Sequence, residues 1–233
     1  MKLSVVIPAL DEASNLARLL PDLDRACPGA ELLVVDGGSR DGTAAVVAGR
    51  PGVRLVPGAR GRARQMNAGA RGAAGDVLLF LHADTWLPDG ATALIEGALA
   101  DPAVVGGRFD VRFDSSRHLM KMIAWFMNAR SRATSICTGD QAIFVRRAAF
   151  EAVGGYPDIP LMEDIELSRR LRARGRLAAL RARVTTSARK WEREGPLRTI
   201  GLMWTLRLLH FFGVAPARLH RWYYGAPREG DDP

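Results

Sequence analysis

The sequence predicts an α/β fold: a Rossmann-like, mostly parallel sheet flanked by helices, with a C-terminal helical extension. Three observations carry the prediction. In the first hundred residues, short apolar runs alternate with longer amphipathic stretches. The runs are apolar at nearly every position, as strands covered on both faces must be. Acidic, glycine-bearing and basic residues collect just after each run, where parallel sheets bind their ligands.

Residues 3–8 form the first strand, too short and too quickly followed by Asp11 and Glu12 for a signal peptide. Residues 13–26 form a helix, with Leu16, Leu19, Leu20 and Leu23 on one face. A second strand covers 31–36. A short helix, 42–48, is introduced by Ser39 and Asp41 as caps. Strand 53–56, helix 62–72, strand 76–82 and helix 89–99 continue the alternation. Right-handed crossovers between parallel strands are the connection this order allows. The second half is less regular. Residues 104–113 alternate toward their end and read as a strand; 119–127 is an apolar helix; 142–145 is a short strand. Helix 147–153, a turn at 154–157 and helix 163–174 follow. Residues 196–212 form a strongly apolar helix between Gly195-Pro196 and Gly213. No linker is visible, so residues 1–194 read as one domain with halves of about 1–100 and 101–194. Residues 195–233 read as the apolar helix and a tail that is acidic near its end.

The chain has 233 residues and a net charge of +8, which attracts phosphate groups of some kind. Eleven Lys and Arg between residues 161 and 199 read as solvated helix faces. Nucleic acid is excluded as a partner, because no helix-turn-helix, zinc-finger or RNP-type pattern accompanies the charge. Cys27 and Cys137 are far apart and outside any CxxC, so they read as reduced, buried thiols of a cytosolic protein and not as zinc ligands.

The loops after the four early strands are Pro8-Ala9-Leu10-Asp11-Glu12, Asp36-Gly37-Gly38-Ser39-Arg40-Asp41, Gly58-Ala59-Arg60-Gly61-Arg62-Ala63-Arg64 and His82-Ala83-Asp84. Four such loops on one sheet edge make a ligand site. With Gly154-Gly155-Tyr156 and Glu163-Asp164, followed by Leu167 and Arg170-Leu171, they resemble the family 2 glycosyltransferases over roughly residues 3–191. HADT (82–85), GDQAIF (139–144), MEDIEL (162–167) and ARKW (188–191) are similar to a bacterial "glycosyltransferase 2-like" subgroup.

The resemblance implies a GT-A fold, with a nucleotide-sugar half in residues 1–100 and an acceptor half in 101–194. It implies an inverting transfer from a nucleotide-diphosphate sugar, with Asp164 as general base and Glu163 beside it. Pro8, Ala9, Asp11, Glu12, Asp36 and Gly37 would bind the donor. Asp11 and Glu12 could equally cap the following helix. Arg64 and Asn67, three residues apart on one helix face, are the phosphate candidates. His82, Ala83 and Asp84 occupy the place of the family's Asp-x-Asp. There Asp84 would hold Mn²⁺ or Mg²⁺, and His82, facing the same way in an extended segment, would hydrogen-bond the donor. His82 standing for the first Asp leaves the metal requirement open. Gly139, Asp140 and Gln141 would line the acceptor side. Arg189 and Lys190 would meet the diphosphate, and Trp191 would stack on sugar or pack. Ser187 and Lys190 depart from the Gln-x-x-Arg-Trp of processive members, which implies a non-processive enzyme.

Helix 196–212 is too short and too charged to span a membrane. It covers the sheet, forms a homodimer contact, or lies in a membrane interface, which would place a cytoplasmic protein at the inner face and admit a lipid-linked acceptor. Two rivals remain: a nucleotidyltransferase, and a non-catalytic nucleotide-sugar-binding protein. A dinucleotide oxidoreductase is excluded by the missing GxGxxG.

Overall fold

A computed structural model describes residues 1–224, apart from the side chains of Lys190, Leu197 and Tyr224. The first half runs β1 (Leu3–Ala9), α1 (Ala13–Ala26), β2 (Glu31–Asp36), α2 (Thr43–Ala48), β3 (Val53–Pro57), α3 (Arg62–Gly72) and β4 (Val77–Phe80). These strands are parallel, in the order β3-β2-β1-β4. Strand periodicity explains why they are apolar throughout. Val5, Ile7, Val34 and Leu79 pack with Leu16, Leu19, Leu20 and Leu23 of α1. The alternate residues Val6, Val35, Leu78 and Phe80 pack with Ala63, Met66 and Ala70 of α3. Helix α3 comes so close that a Cβ on its Gly69 would stand 2.3 Å from Val6.

The chain continues through β5 (Thr85–Trp86), α4 (Ala91–Leu99), β6 (Val104–Phe113), α5 (His118–Thr134), a 3-10 turn at Gly139–Gln141, and β7 (Ile143–Arg146). Then come α6 (Arg147–Ala152), α7 (Glu163–Arg172), β8 (Arg176–Thr186), α8 (Arg189–Glu194), α9 (Pro196–Phe211) and α10 (Pro216–Tyr224). The sheet has eight strands in the order β3-β2-β1-β4-β7-β6-β8-β5. Strand β7 is antiparallel to both its neighbours, β8 is parallel to β6, and β5 is antiparallel to β8.

Several expectations are corrected. The fourth strand stops at Phe80, and His82 to Asp84 form a turn closed by Thr85 N–H on His82 O at 3.1 Å, not an extended segment. Helix α5 runs to Thr134, well beyond the apolar run that suggested 119–127. Its polar end is held to β6: Asn128 bonds both backbone groups of Val111, at 2.8 and 2.9 Å, and Arg132 pairs with Asp110 at 2.7 Å. Asp110 also pairs with the fully buried Arg108. Strand β8 was not foreseen. It is rich in Ala and Arg, which carry no strand signal, so the basic residues at 176, 181 and 183 belong to a sheet and not to a helix face. Helices α8 and α10 were also missed. Asp41 serves two helices, accepting from Thr43 N–H at 3.0 Å and from Ala13 N–H of α1 at 2.9 Å. Both cysteines are buried and free. No helix among the described residues is long and apolar enough to cross a membrane. The acidic stretch 229–232 lies outside the described residues.

Candidate active site

The C-terminal ends of β1 and β2 are tied together by their own polar groups. Gly37 N–H donates to Ala9 O at 2.9 Å. The Gln65 amide, buried on α3, donates to Ala9 O at 2.7 Å and to Val35 O at 2.9 Å. Asp36 accepts from Ser39 N–H at 3.0 Å, and exposed Asp11 accepts from Arg40 N–H at 2.7 Å. Pro8 is half-buried between these loops. Glu12 sits at the start of α1, yet its carboxylate accepts from the Asn15 side chain and caps no backbone N–H. Burial pushes the Glu12 carboxyl up, and Asp84 adds to the rise while Arg189 opposes it. Glu12 therefore links this edge to the residues beyond β4.

Those residues line a cavity of about 520 Å³. His82, Asp84, Gly139, Asp140, Glu163, Asp164 and Trp191 all border it. The Asp164 carboxylate accepts from Gly139 N–H at 2.9 Å and from Ile165 N–H at 2.7 Å, in the first turn of α7. Burial, with Glu163 alongside, nevertheless raises its pKa to about 7. Two segments reach this spot through left-handed backbone, Ala142 at φ 50° and Met162 at φ 70°, which side chains rarely adopt. Such conformations cluster at functional sites. Glu163 is buried and accepts from Arg62 at 3.3 Å.

The His82 ring is pressed against Gly139, where a Cβ would stand 2.5 Å from it. Its Nε2 is buried and has no hydrogen-bond partner. Burial, aided by the Arg62 cation, holds its pKa near 3, so the ring is neutral. Burial also raises the Asp84 carboxyl, and Asp140 raises it further. Ala83 between them packs into the core. Among the described residues no cluster of three or more His, Cys, Asp or Glu could by itself hold a metal.

Other expected residues fall elsewhere. Both ends of the Asn67 amide are taken by the backbone of Tyr156, at 2.8 and 3.0 Å. Tyr156 packs edge-on against Phe80 of β4, so this contact braces the sheet. Arg64 pairs with Asp158 at 2.9 Å, away from the cavity that Arg62 borders. The two are about 200° apart around α3. Gln141 is buried and accepts from Thr138 N–H at 3.1 Å, closing the 3-10 turn. Arg189 donates to Asn15 at 2.8 Å, toward the β1 edge. Trp191 packs against Phe113 with ring centres 5.6 Å apart. The Lys190 side chain lies outside the described residues. Gln65, Arg130 and Arg207 escaped the sequence reading; Arg130 and Arg207 border the cavity. A signal for Arg130 existed, since Met122, Phe126 and Arg130 are spaced one helical turn apart. A larger hollow of about 700 Å³ beside β6 and β8 contains one carboxylate, Asp110. That carboxylate is already paired with Arg108 and Arg132.

The model of the family described as "Glycosyl transferase family 2" matches residues 4–154, more than half of the chain. The chain belongs to glycosyl transferase family 2. Among solved structures, residues 1–349 of TarS from S. aureus with UDP match with a TM-score of 0.66 and 17% identity, over 80% of this chain and 60% of that one. The same protein with UDP-GlcNAc gives a TM-score of 0.64 at 17% identity, over 80% and 58%. The mannosyltransferase PcManGT from Pyrobaculum calidifontis, with GDP-Man and Mn²⁺, gives 0.62 at 23% identity, over 79% and 56%. This family member thus has the GT-A fold and spans about three fifths of the length of those structures. Among curated proteins, nothing matches it.

Proposed function

We propose that this chain is an inverting, non-processive glycosyltransferase that moves a sugar from a nucleotide-diphosphate donor to a hydroxyl of an acceptor. The observation that carries the reading is Asp164: a buried carboxylate with a pKa raised to about 7, held by Gly139 N–H, in one cavity with His82 and Asp84. A group titrating near neutrality suits a general base. Asp164 takes the proton of the acceptor hydroxyl as that oxygen bonds to the anomeric carbon. The bond from that carbon to the donor diphosphate breaks on the opposite face, and the nucleoside diphosphate leaves with its electron pair. One displacement inverts the anomeric centre. Glu12 and Asp36 accept hydrogen bonds from the nucleoside, and His82 Nε2 bonds the donor. Residues 1–100 then serve the donor and 101–194 the acceptor, with the extension from 195 closing the acceptor side.

A divalent cation fits this reading. Burial and the neighbouring Asp140 disfavour the charge on Asp84, and a cation held there would relieve it. Mg²⁺ commonly takes one or two protein carboxylates, with phosphate oxygens and water for the rest, so a three-ligand protein cluster is not needed. When bound, it would offset charge on the departing diphosphate. Asp84 is the residue assigned to it.

The test offers UDP-GlcNAc and GDP-Man, the donors of the structural neighbours, as first members of a nucleotide-sugar panel, with and without Mn²⁺. Product anomeric configuration is read by NMR. Inversion is expected, and a retained configuration overturns the mechanism. Asp84→Asn should remove the Mn²⁺-dependent part of donor affinity. Equal donor affinity with and without Mn²⁺ in the unaltered protein removes the metal.

A further inference from the structure

Beyond the acid-lined floor, the walls of the cavity are two helices with the same pattern. On α5 the bordering residues are Met122, Ile123, Phe126, Met127 and Arg130; on α9 they are Thr199, Ile200, Met203, Trp204 and Arg207. Both follow i, i+1, i+4, i+5, i+8, which places each set on one face. Each stripe is largely apolar for two turns and ends, at its C-terminal side, in an arginine. The arginines are unusual. Arg130 Nε and Nη2 and Arg207 Nε are buried and have no hydrogen-bond partner. Arg130 lies in the field of Asp140 and Asp164. Leu206, next to Arg207, packs with Leu161 and Met162 just before Asp164. Both guanidinium groups therefore sit toward the catalytic end. Along the stripes apolar residues open to solvent, Met122 being 48% exposed, Phe126 55% and Trp204 60%.

Buried guanidinium nitrogens without partners are costly unless an anion completes them. An exposed apolar groove leading to it calls for an apolar chain. Eight residues of helix measure about 12 Å, roughly the reach of a ten-carbon chain. Resting on the sugar-transfer reading, we propose that the acceptor is an anionic amphiphile. Its phosphate or carboxylate is held by Arg130, assisted by Arg207. Its apolar chain lies between the α5 and α9 stripes, and its hydroxyl faces Asp164.

Calorimetric titration of the full chain tests this with three probes below their micelle concentrations: decyl phosphate, butyl phosphate and decyl glucoside. Decyl phosphate should bind at least about tenfold more tightly than either of the others, since it alone has both the long buried chain and the charge-assisted bonds. Arg130→Gln should weaken decyl phosphate about tenfold, leave decyl glucoside unchanged, and keep donor affinity; Arg130→Lys should recover part of the loss. Equal affinity for decyl and butyl phosphate overturns the chain-binding groove. Equal affinity of Arg130→Gln and the unaltered protein for decyl phosphate overturns the anion site. If Arg130→Gln instead loses nucleotide-sugar affinity, Arg130 belongs to the donor, and this proposal fails while sugar transfer stands. If decyl phosphate binds as expected but no nucleotide sugar does, the transfer reading fails and the groove assignment survives.

Discussion

The edge formed by β1 and β2 and the cavity behind β4 are both polar, and they differ in how their polar groups are satisfied. At the edge, Asp36 is tied to Ser39, Asp11 to Arg40, Asp41 to Thr43 and Ala13, and Gln65 to two strand carbonyls. In the cavity, Asp164 is raised to about 7, Asp84 is raised, His82 is held near 3 with an orphan Nε2, and Arg130 has orphan nitrogens. The bonds at the edge hold its loops in place. The cavity keeps charges in conditions that favour their neutral forms or leave hydrogen bonds unmade, which is the state a ligand or reaction would relieve.

The sharpest way to break this contrast is Asp164→Asn. The amide oxygen can still accept from Gly139 N–H, so the loop geometry survives while the base is lost. Transfer should fall by about 10² to 10⁴-fold with donor affinity unchanged. In the unaltered protein the transfer rate should rise with pH up to about 7 and then level, as the base ionises. Stability should move the other way. The folded-state pKa is raised above the ordinary 3.8, so this carboxyl's stabilising contribution is complete below that value and is lost as pH rises through about 7. The Asn variant cannot ionise, so its melting point should gain on the unaltered protein between pH 5 and pH 8. A rate flat across that range, or full turnover in the variant, would place the base elsewhere.

The edge offers the second test. Gln65→Leu keeps the bulk of the side chain but removes its bonds to Ala9 O and Val35 O. The expected loss is about 1–2 kcal/mol, toward the low end for a stranded buried acceptor because Gly37 N–H still serves Ala9 O. Urea denaturation measures it. A loss comparable in kcal/mol to the catalytic effect of Asp164→Asn would mean that the edge is as finely poised as the cavity.

The first half was legible because its strands are continuous apolar runs and its helices amphipathic: α1, β2 and α3 fall on their expected bounds. The sheet beyond β4 was less so. Strand β6 was visible from its alternation, but its partner β8 is mostly Ala, Arg and Leu before its final Val184-Thr185-Thr186, so most of its strand character comes from pairing with β6 and not from local preference. Helix α5 outran its apolar segment because Asn128 and Arg132 are held by β6, a long-range contact that local sequence does not carry. In the site, His82, Asp84 and Asp164 could be named from their motifs. Arg130 and Arg207 could not, since one lay past the expected end of its helix and the other only added to the charge of an apolar one.

The smallest expected effect concerns an arginine on the same helix as Gln65. Arg64 and Asn67 share a face by spacing, which made both candidates for the donor phosphates. Asn67 proves to be bound to Tyr156 on that face, and Arg64 to Asp158. Both members of the Arg64–Asp158 pair are well exposed, at 43% and 63%, so solvent screens their attraction and the pair contributes about 0–1 kcal/mol. Arg64→Gln should therefore shift stability by less than about 0.5 kcal/mol, and nucleotide-sugar affinity should stay within about twofold, since that side of α3 turns away from the cavity. Isothermal titration with the donor measures the second quantity. A tenfold loss of donor affinity would show that the Arg64 side chain leaves Asp158 for the diphosphate when donor binds, and that this side of α3, like the cavity, holds charge in readiness.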